Sequence, residues 1–314
     1  MPFPLNQQAS AIASSARLSQ ERLRISVTEV DETVVMDFGV RAIGGLDAGL
    51  ALARMCMADL AQISLHPADE SLVLTPQLFV RTDHPVEACL MSQYAGWKIA
   101  TDQFFAMGSG PMRALAATEE LFKHLPEAAD EEVAVGILES GKLPDAAAIA
   151  EVRRGIGAER ALILAVAPTS SHAGNLQVVA RSVETALHKL HSLEFPLQSI
   201  VSATGSAPLP PIACNDLEGI GRTNDAILYG ATVNVWVRCA DELIEQIGPQ
   251  VPSDSSESHG QTFLTLFKAA NHDFYALDTA LFSPAVVIFH NLTSGRTFQF
   301  GHKLPSLLRE SFGL

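Results

Sequence analysis

Arg181, Glu184 and His188 recur at spacings of three and four within residues 175–191, so a helix there sets all three on one flank. Leu176, Val179, Val183, Leu187 and Leu190 fall on another flank and predict the face that meets the core. A carboxylate beside a guanidinium at a cleft can take a proton from water and return it elsewhere, while the arginine holds it ionised. An exposed Arg–Glu pair that only supports the helix, by about 0.2–0.5 kcal/mol, fits the same spacing. So does a third reading, with Glu184, His188 and His191 as metal ligands on one helical face. The remaining histidines are scattered, and no second Glu-x-x-His element accompanies them.

Other polar clusters offer binding rather than bond-making. Met107-Gly108-Ser109-Gly110-Pro111 places two glycines around a serine before an apolar-periodic helix predicted over residues 112–124. Its N–H groups can cradle a ligand, but the spacing is not that of a GxSxG nucleophile elbow. Gly221-Arg222-Thr223-Asn224-Asp225 closes an expected loop over 206–225. Its donors and acceptors suit a heterocycle such as a pterin, and an Asx-type turn accounts for the same residues. His272-Asp273-Phe274-Tyr275 adds an aromatic and acidic cluster, with no serine or cysteine motif to make a triad. The glycine-rich turn over 39–49 matches neither GxGxxG nor the P-loop. It reads as tight strand-to-helix packing, or as N–H groups facing an anionic or carbonyl group.

These residues need elements to carry them. Helical spacing predicts helices over 5–23, 48–60, 112–124, 146–155, 175–191 and 240–246. Residues 25–38 read as a hairpin, and strands are expected over 72–80, 86–90, 130–138, 161–167, 197–203, 231–237 and 285–290. The Ser-rich stretch 253–259 reads as an exposed loop. Helices and strands mix without the rhythm of a doubly wound sheet. The fold class expected is therefore α/β of the mixed α+β kind, with two α/β domains side by side and a ligand cleft between them. The boundary is expected near 126–130, giving a first domain over 1–128 and a second over 129–314 that carries the Arg181/Glu184 helix.

Composition narrows the partners. Of 314 residues, 47% are hydrophobic and only 18% charged, which points to a well-buried, oligomeric protein. With 21 Lys+Arg against 35 Asp+Glu, the net charge of −14 argues against nucleic acid or an anionic membrane as partner. Cationic or neutral small molecules fit better. Cys56, Cys89, Cys214 and Cys239 form no CxxC pair, as suits a reducing compartment. The N-terminus lacks the pattern of a secretory signal, and the longest apolar run, 161–167, is far short of the ~20 residues that span a bilayer. A soluble, cytoplasmic protein is the expectation.

Taken together, the motifs resemble the methenyltetrahydromethanopterin cyclohydrolase family. The resemblance rests on Gly44-Gly45-Leu46-Asp47-Ala48-Gly49-Leu50, Gly96-Trp97-Lys98, Phe105-Ala106-Met107-Gly108-Ser109-Gly110-Pro111 and Gly221-Arg222-Thr223-Asn224-Asp225-Ala226-Ile227. Asp273-Phe274-Tyr275, Phe282-Ser283-Pro284-Ala285 and Ser311-Phe312 extend it to the C-terminus. It implies a cytoplasmic enzyme of one-carbon metabolism that interconverts the methenyl and 5-formyl forms of tetrahydromethanopterin. It also implies a homotrimer of two-domain subunits, with the pterin between domains and neither metal nor cofactor. The family's arginine and carboxylate stand three apart on a helix, a pattern met by Arg181 and Glu184. Gly108, Ser109, Gly110, Arg222, Thr223, Asn224, Asp225, Asp273 and Tyr275 become the expected pterin contacts. The Ser-rich 253–259 loop departs from the family pattern. Two rivals remain: a metal-dependent amidohydrolase using Glu184, His188 and His191, and a non-catalytic pterin-binding protein.

Overall fold

The computed structural model describes residues 2–314, with the backbone alone for Tyr275. The chain divides into two compact units. One holds the residues up to Ala61 together with Val86–Gln177, the other Gln62–Pro85 with Val178–Leu314. The boundary expected near residue 128 therefore falls inside the first unit, because the strands on either side of it pair in one sheet.

That sheet runs β1 (Ser26–Val30), β2 (Thr33–Asp37), β8 (Ala161–Ala167), β7 (Val133–Glu139), β6 (Phe105–Ser109) and β5 (Trp97–Ala100). The three central strands β2, β8 and β7 are parallel, and the outer pairs are antiparallel. Parallel strands covered on both faces read as near-continuous apolar runs, which makes β7 and β8 visible in the sequence. Ala9, Ala13 and Ala16 of α1 (Leu5–Leu18) and Ala48, Leu52 and Met55 of α3 (Leu46–Cys56) cover one face, over Met36, Val135, Ile137 and Ala165. Between them lies the single turn α2 (Gln20–Leu23), ended by Arg24 in the left-handed region. Ile149, Val152 and Ile156 of α5 (Ala146–Ile156) cover the other face, over Leu138, Leu162, Leu164 and Val166.

Two expectations in this unit fail for physical reasons. Val86–Gln93 is a π-helix where a strand was expected. Ala88 to Met91 is apolar throughout and buried, and such a run has no periodicity to tell helix from strand. The helix expected over 112–124 stops as α4 (Met112–Ala116), because Ala117 turns left-handed at φ 44°. A separate 3-10 turn, Glu120–His124, follows.

The second sheet runs β12 (Thr297–Gly301), β11 (Val286–Asn291), β10 (Thr232–Val237), β9 (Ile200–Pro208), β4 (Gln77–Thr82) and β3 (Gln62–His66). Only β10 and β11 pair in parallel. Val233, Val235 and Val237 are buried, while Thr232, Asn234 and Trp236 between them are half-buried. The stretch expected to be one helix over 175–191 is two, α6 (His172–Val179) and α7 (Ser182–Ser192), interrupted at Ala180–Arg181. The chain leaves the first unit at Gln177, so the unbroken apolar stripe spans a change of unit.

Of the loop expected over 206–225, the second half is instead the start of α8 (Asp216–Gly230), capped where the Asn215 side chain accepts from the Glu218 N–H at 2.9 Å. Helices α9 (Asp241–Ile247), α10 (Phe263–Ala269) and α11 (Pro305–Phe312) complete the unit. Gly221 sits inside α8 because a Cβ there would lie 3.0 Å from the Leu264 Cβ on α10. The Ser-rich stretch is not an exposed loop. Ser253 and Ser256 are buried, their hydroxyls donating to the Leu228 carbonyl and the Asp278 carboxylate. Among the described residues, no helix is long and apolar enough to cross a membrane.

Candidate active site

Arg181 occupies the position just before α7, and Glu184 is the third residue of its first turn. Their spacing of three survives the break in the predicted helix, and both side chains are buried, 8% and 6% exposed. A first-turn carboxylate faces the positive end of the helix dipole, which favours a negative charge. The start of α7 is fixed closely. The Thr185 hydroxyl donates to the Arg181 carbonyl at 2.8 Å, and a Cβ on Gly205 of β9 would come within 2.3 Å of Ser182 Oγ. Any side chain at 205 therefore forces the Ser182 and Val183 side chains, on either side of which Arg181 and Glu184 stand, to shift. Farther along α7, buried Lys189 donates to the Ala280 carbonyl at 3.1 Å, its pKa lowered chiefly by burial. His188 and His191 lie half-buried on the same helix. Among the described residues, no group of three or more His, Cys, Asp or Glu is placed to hold a metal ion.

The cluster at 222–225 lies on α8, and its side chains divide by role. The Thr223 hydroxyl, buried, donates to the Gly219 and Ile220 carbonyls one turn back. Asp225, also buried, accepts from the Phe263 N–H at 2.8 Å and the Ser311 hydroxyl at 2.6 Å, tying α8 to α10 and α11. Half-buried Arg222 and Asn224 reach the Pro211 and Ile220 carbonyls at 3.2 and 2.8 Å. Asp273 is exposed, and Phe274 beside it packs 4.4 Å from the Phe267 ring on α10. The Tyr275 side chain lies outside the described residues.

Burial pushes the Asp225 carboxyl up to about 7, against the pull of its Ser311 and Phe263 donors. A carboxyl that holds its proton more tightly when folded adds stability at pH below its unfolded value, and that contribution is lost as pH rises through about 7. Urea unfolding at pH 5 and pH 8 should therefore show wild type losing more stability toward pH 8 than Asp225→Asn, which is neutral throughout. Equal pH slopes in the two proteins would remove this role from Asp225.

In the other unit, Gly108 and Ser109 end β6 and Gly110 follows them. Gly110 has φ +87° and donates its N–H to the Ser92 carbonyl at 2.8 Å. The Ser109 hydroxyl lies 3.5 Å from Cys56 Sγ, which in turn accepts from the Gln177 amide at 3.4 Å. Beside them lie buried polar groups that no motif in the sequence marks. Ser92 Oγ, both polar atoms of the Gln93 amide and Gln177 Oε1 are buried, with no hydrogen-bond partner among the described residues. Leaving a buried polar group unpaired costs about 1–3 kcal/mol, so such atoms mark a place where a ligand would be welcome. The available signal was a Ser-Gln pair closing the apolar run 88–91, just before Gly96-Trp97-Lys98.

Comparison with known proteins agrees along the whole chain. The family model described as Cyclohydrolase (MCH) matches residues 4–312. A protein of Rhodopirellula baltica named methenyltetrahydromethanopterin cyclohydrolase is 49% identical over 286 residues, covering 89% of this chain and 86% of its own. Proteins of the same name from Methylobacillus flagellatus and Methanosarcina mazei are 42% and 38% identical, each covering 99% of this chain and 93% and 98% of their own.

Proposed function

The chain belongs to the methenyltetrahydromethanopterin cyclohydrolase family, and on that premise we propose that it hydrolyses the methenyl form of tetrahydromethanopterin reversibly to the 5-formyl form. The observation that carries this reading is the match over residues 4–312, with relatives of that name covered nearly end to end. The buried Arg181–Glu184 turn supplies groups suited to the chemistry.

The substrate carbon belongs to a cationic amidinium and is already electrophilic, so it needs a deprotonated water more than activation. Glu184 takes one proton as the water oxygen bonds to that carbon. It returns the same proton to the departing ring nitrogen as the carbon–nitrogen bond breaks. The second water proton leaves as the carbonyl forms, which accounts for the lost positive charge. Arg181 orients the carboxylate and keeps it ionised. The chemistry calls for no resident metal or redox cofactor.

Contacts to the pterin are assigned to Gly108, Ser109 and Gly110 at the end of β6, to Arg222 and Asn224 on α8, and to Asp273 and Tyr275. Thr223 and Asp225 hold α8 in place for them. Ser92 and Gln93 add donors and acceptors that match the amide and amino edge of the ring. The proposal extends to a homotrimer, in keeping with the low charge content, that works in the cytoplasm. Light scattering at micromolar concentration should give three times the chain mass, and a monomeric mass would contradict it. The activity itself is tested by proton NMR of substrate mixed with protein. A formyl resonance should grow with protein concentration, and its absence would overturn the reading.

A further inference from the structure

Among the described residues, Arg113 is one of the largest fully buried side chains, and the proton chemistry above makes no use of it. Its guanidinium lies between two rings, 4.8 Å from the centroid of Tyr94 and 5.1 Å from that of Phe122. Nε donates to Glu119 at 2.8 Å, and Nη1 donates to the Leu90 carbonyl at 3.1 Å. A buried charge persists only when it is paired and hydrogen-bonded; Nε and Nη1 meet that need, while Nη2 and Glu119 Oε2 are buried without a partner among the described residues.

The identity of the partners shows what the arginine holds. Leu90 lies in the π-helix Val86–Gln93, whose wide turn continues through a 2.9 Å bond from the Tyr94 N–H to the Cys89 carbonyl. The next carbonyl in line is that of Leu90, and Arg113 caps it. Tyr94, stacked on the same guanidinium, directly follows Gln93. Arg113 thus grips the chain on both sides of Ser92 and Gln93. It also stands three residues after Gly110, whose N–H holds the Ser92 carbonyl. Both tethers on the Ser92–Gln93 pair therefore come from one short segment, 110–113.

We propose that Arg113 is a positioning residue that holds the Gln93 amide and the Ser92 hydroxyl ready for the pterin, an inference that rests on the pterin-site reading above. An uncapped π-helix end is free to rewind. The Gln93 amide would then turn to backbone groups, satisfying itself at the expense of the ligand. Lysine cannot replace the arginine fully, because a point charge neither stacks between two rings nor serves two acceptors with a planar fork.

A double-mutant cycle on Gln93→Leu and Arg113→Lys tests this, read on KM and kcat and on the equilibrium Kd of methenyltetrahydromethanopterin. Gln93→Leu removes the unpaired amide, so it should melt no lower than wild type while raising KM about tenfold with kcat little changed. Arg113→Lys should raise KM about fivefold by the same route, and the double variant should be no more than about twofold worse than Gln93→Leu alone. Independent action would multiply the two effects to about fiftyfold and overturn the proposal. An unchanged KM and Kd in Gln93→Leu would overturn it too, since nothing would remain to be positioned. If Arg113→Lys shows no cooperative melting, Phe122→Leu, which opens one side of the stack and keeps the ion pair, takes its place with the same expected pattern. Wild-type protein that binds the pterin without turnover overturns the cyclohydrolase reading while the cycle still reads on Kd. Wild-type protein that does not bind it overturns both.

Discussion

Glu184→Gln is expected to lower kcat by at least about 100-fold, the lower range for loss of a general acid–base group, while the protein still folds. Glutamine is nearly isosteric with glutamate and keeps an acceptor in the first turn of α7. What it cannot do is take a proton from water and give it to the departing nitrogen. Both halves of the reaction lose the same group, so the forward and reverse rates should fall together. KM should change little, because most of the proposed pterin contacts lie elsewhere. Turnover near the wild-type level, with the fold confirmed by thermal melting, would remove Glu184 from the mechanism.

Arg181→Leu is expected to act through Glu184 rather than on substrate affinity alone. Losing the neighbouring positive charge makes the carboxylate easier to protonate, so less of it is available as base at neutral pH. The acidic limb of the pH–rate profile should therefore move to higher pH, and kcat at pH 7 should fall. Arg181→Lys should recover part of the loss, since it restores the charge without the planar fork. A raised KM with an unmoved pH profile would mean that the arginine only binds substrate.

The residues offered for the chemistry were easier to find in the sequence than the frame that holds them. Arg181 and Glu184 show up as a spacing of three that a break in the helix does not disturb. The break itself leaves no mark, because Leu176 serves one unit and Val183, Leu187 and Leu190 the other while the stripe runs on unchanged. β7 and β8 are plain as apolar runs buried on both faces. The π-helix was hidden by the same kind of run, since burial on all sides erases periodicity. α8 read as a loop because Gly219 and Gly221 weaken the local helical signal. The reason for Gly221 is the nearness of Leu264 on another helix, which no window around residue 221 contains. The pairing of β4 with β9, which carries Gln62–Pro85 into the second unit, is likewise a long-range matter.

Cyclohydrolysis by this chain is read most directly from the near-ultraviolet absorbance of the methenyl chromophore after mixing with purified protein. Tetrahydromethanopterin and tetrahydrofolate substrates are run side by side, with and without a chelator. Absorbance of the tetrahydromethanopterin substrate should fall at a rate proportional to protein concentration and indifferent to chelator. Absorbance that stays constant while the pterin binds, or a decay that chelation abolishes, would contradict it.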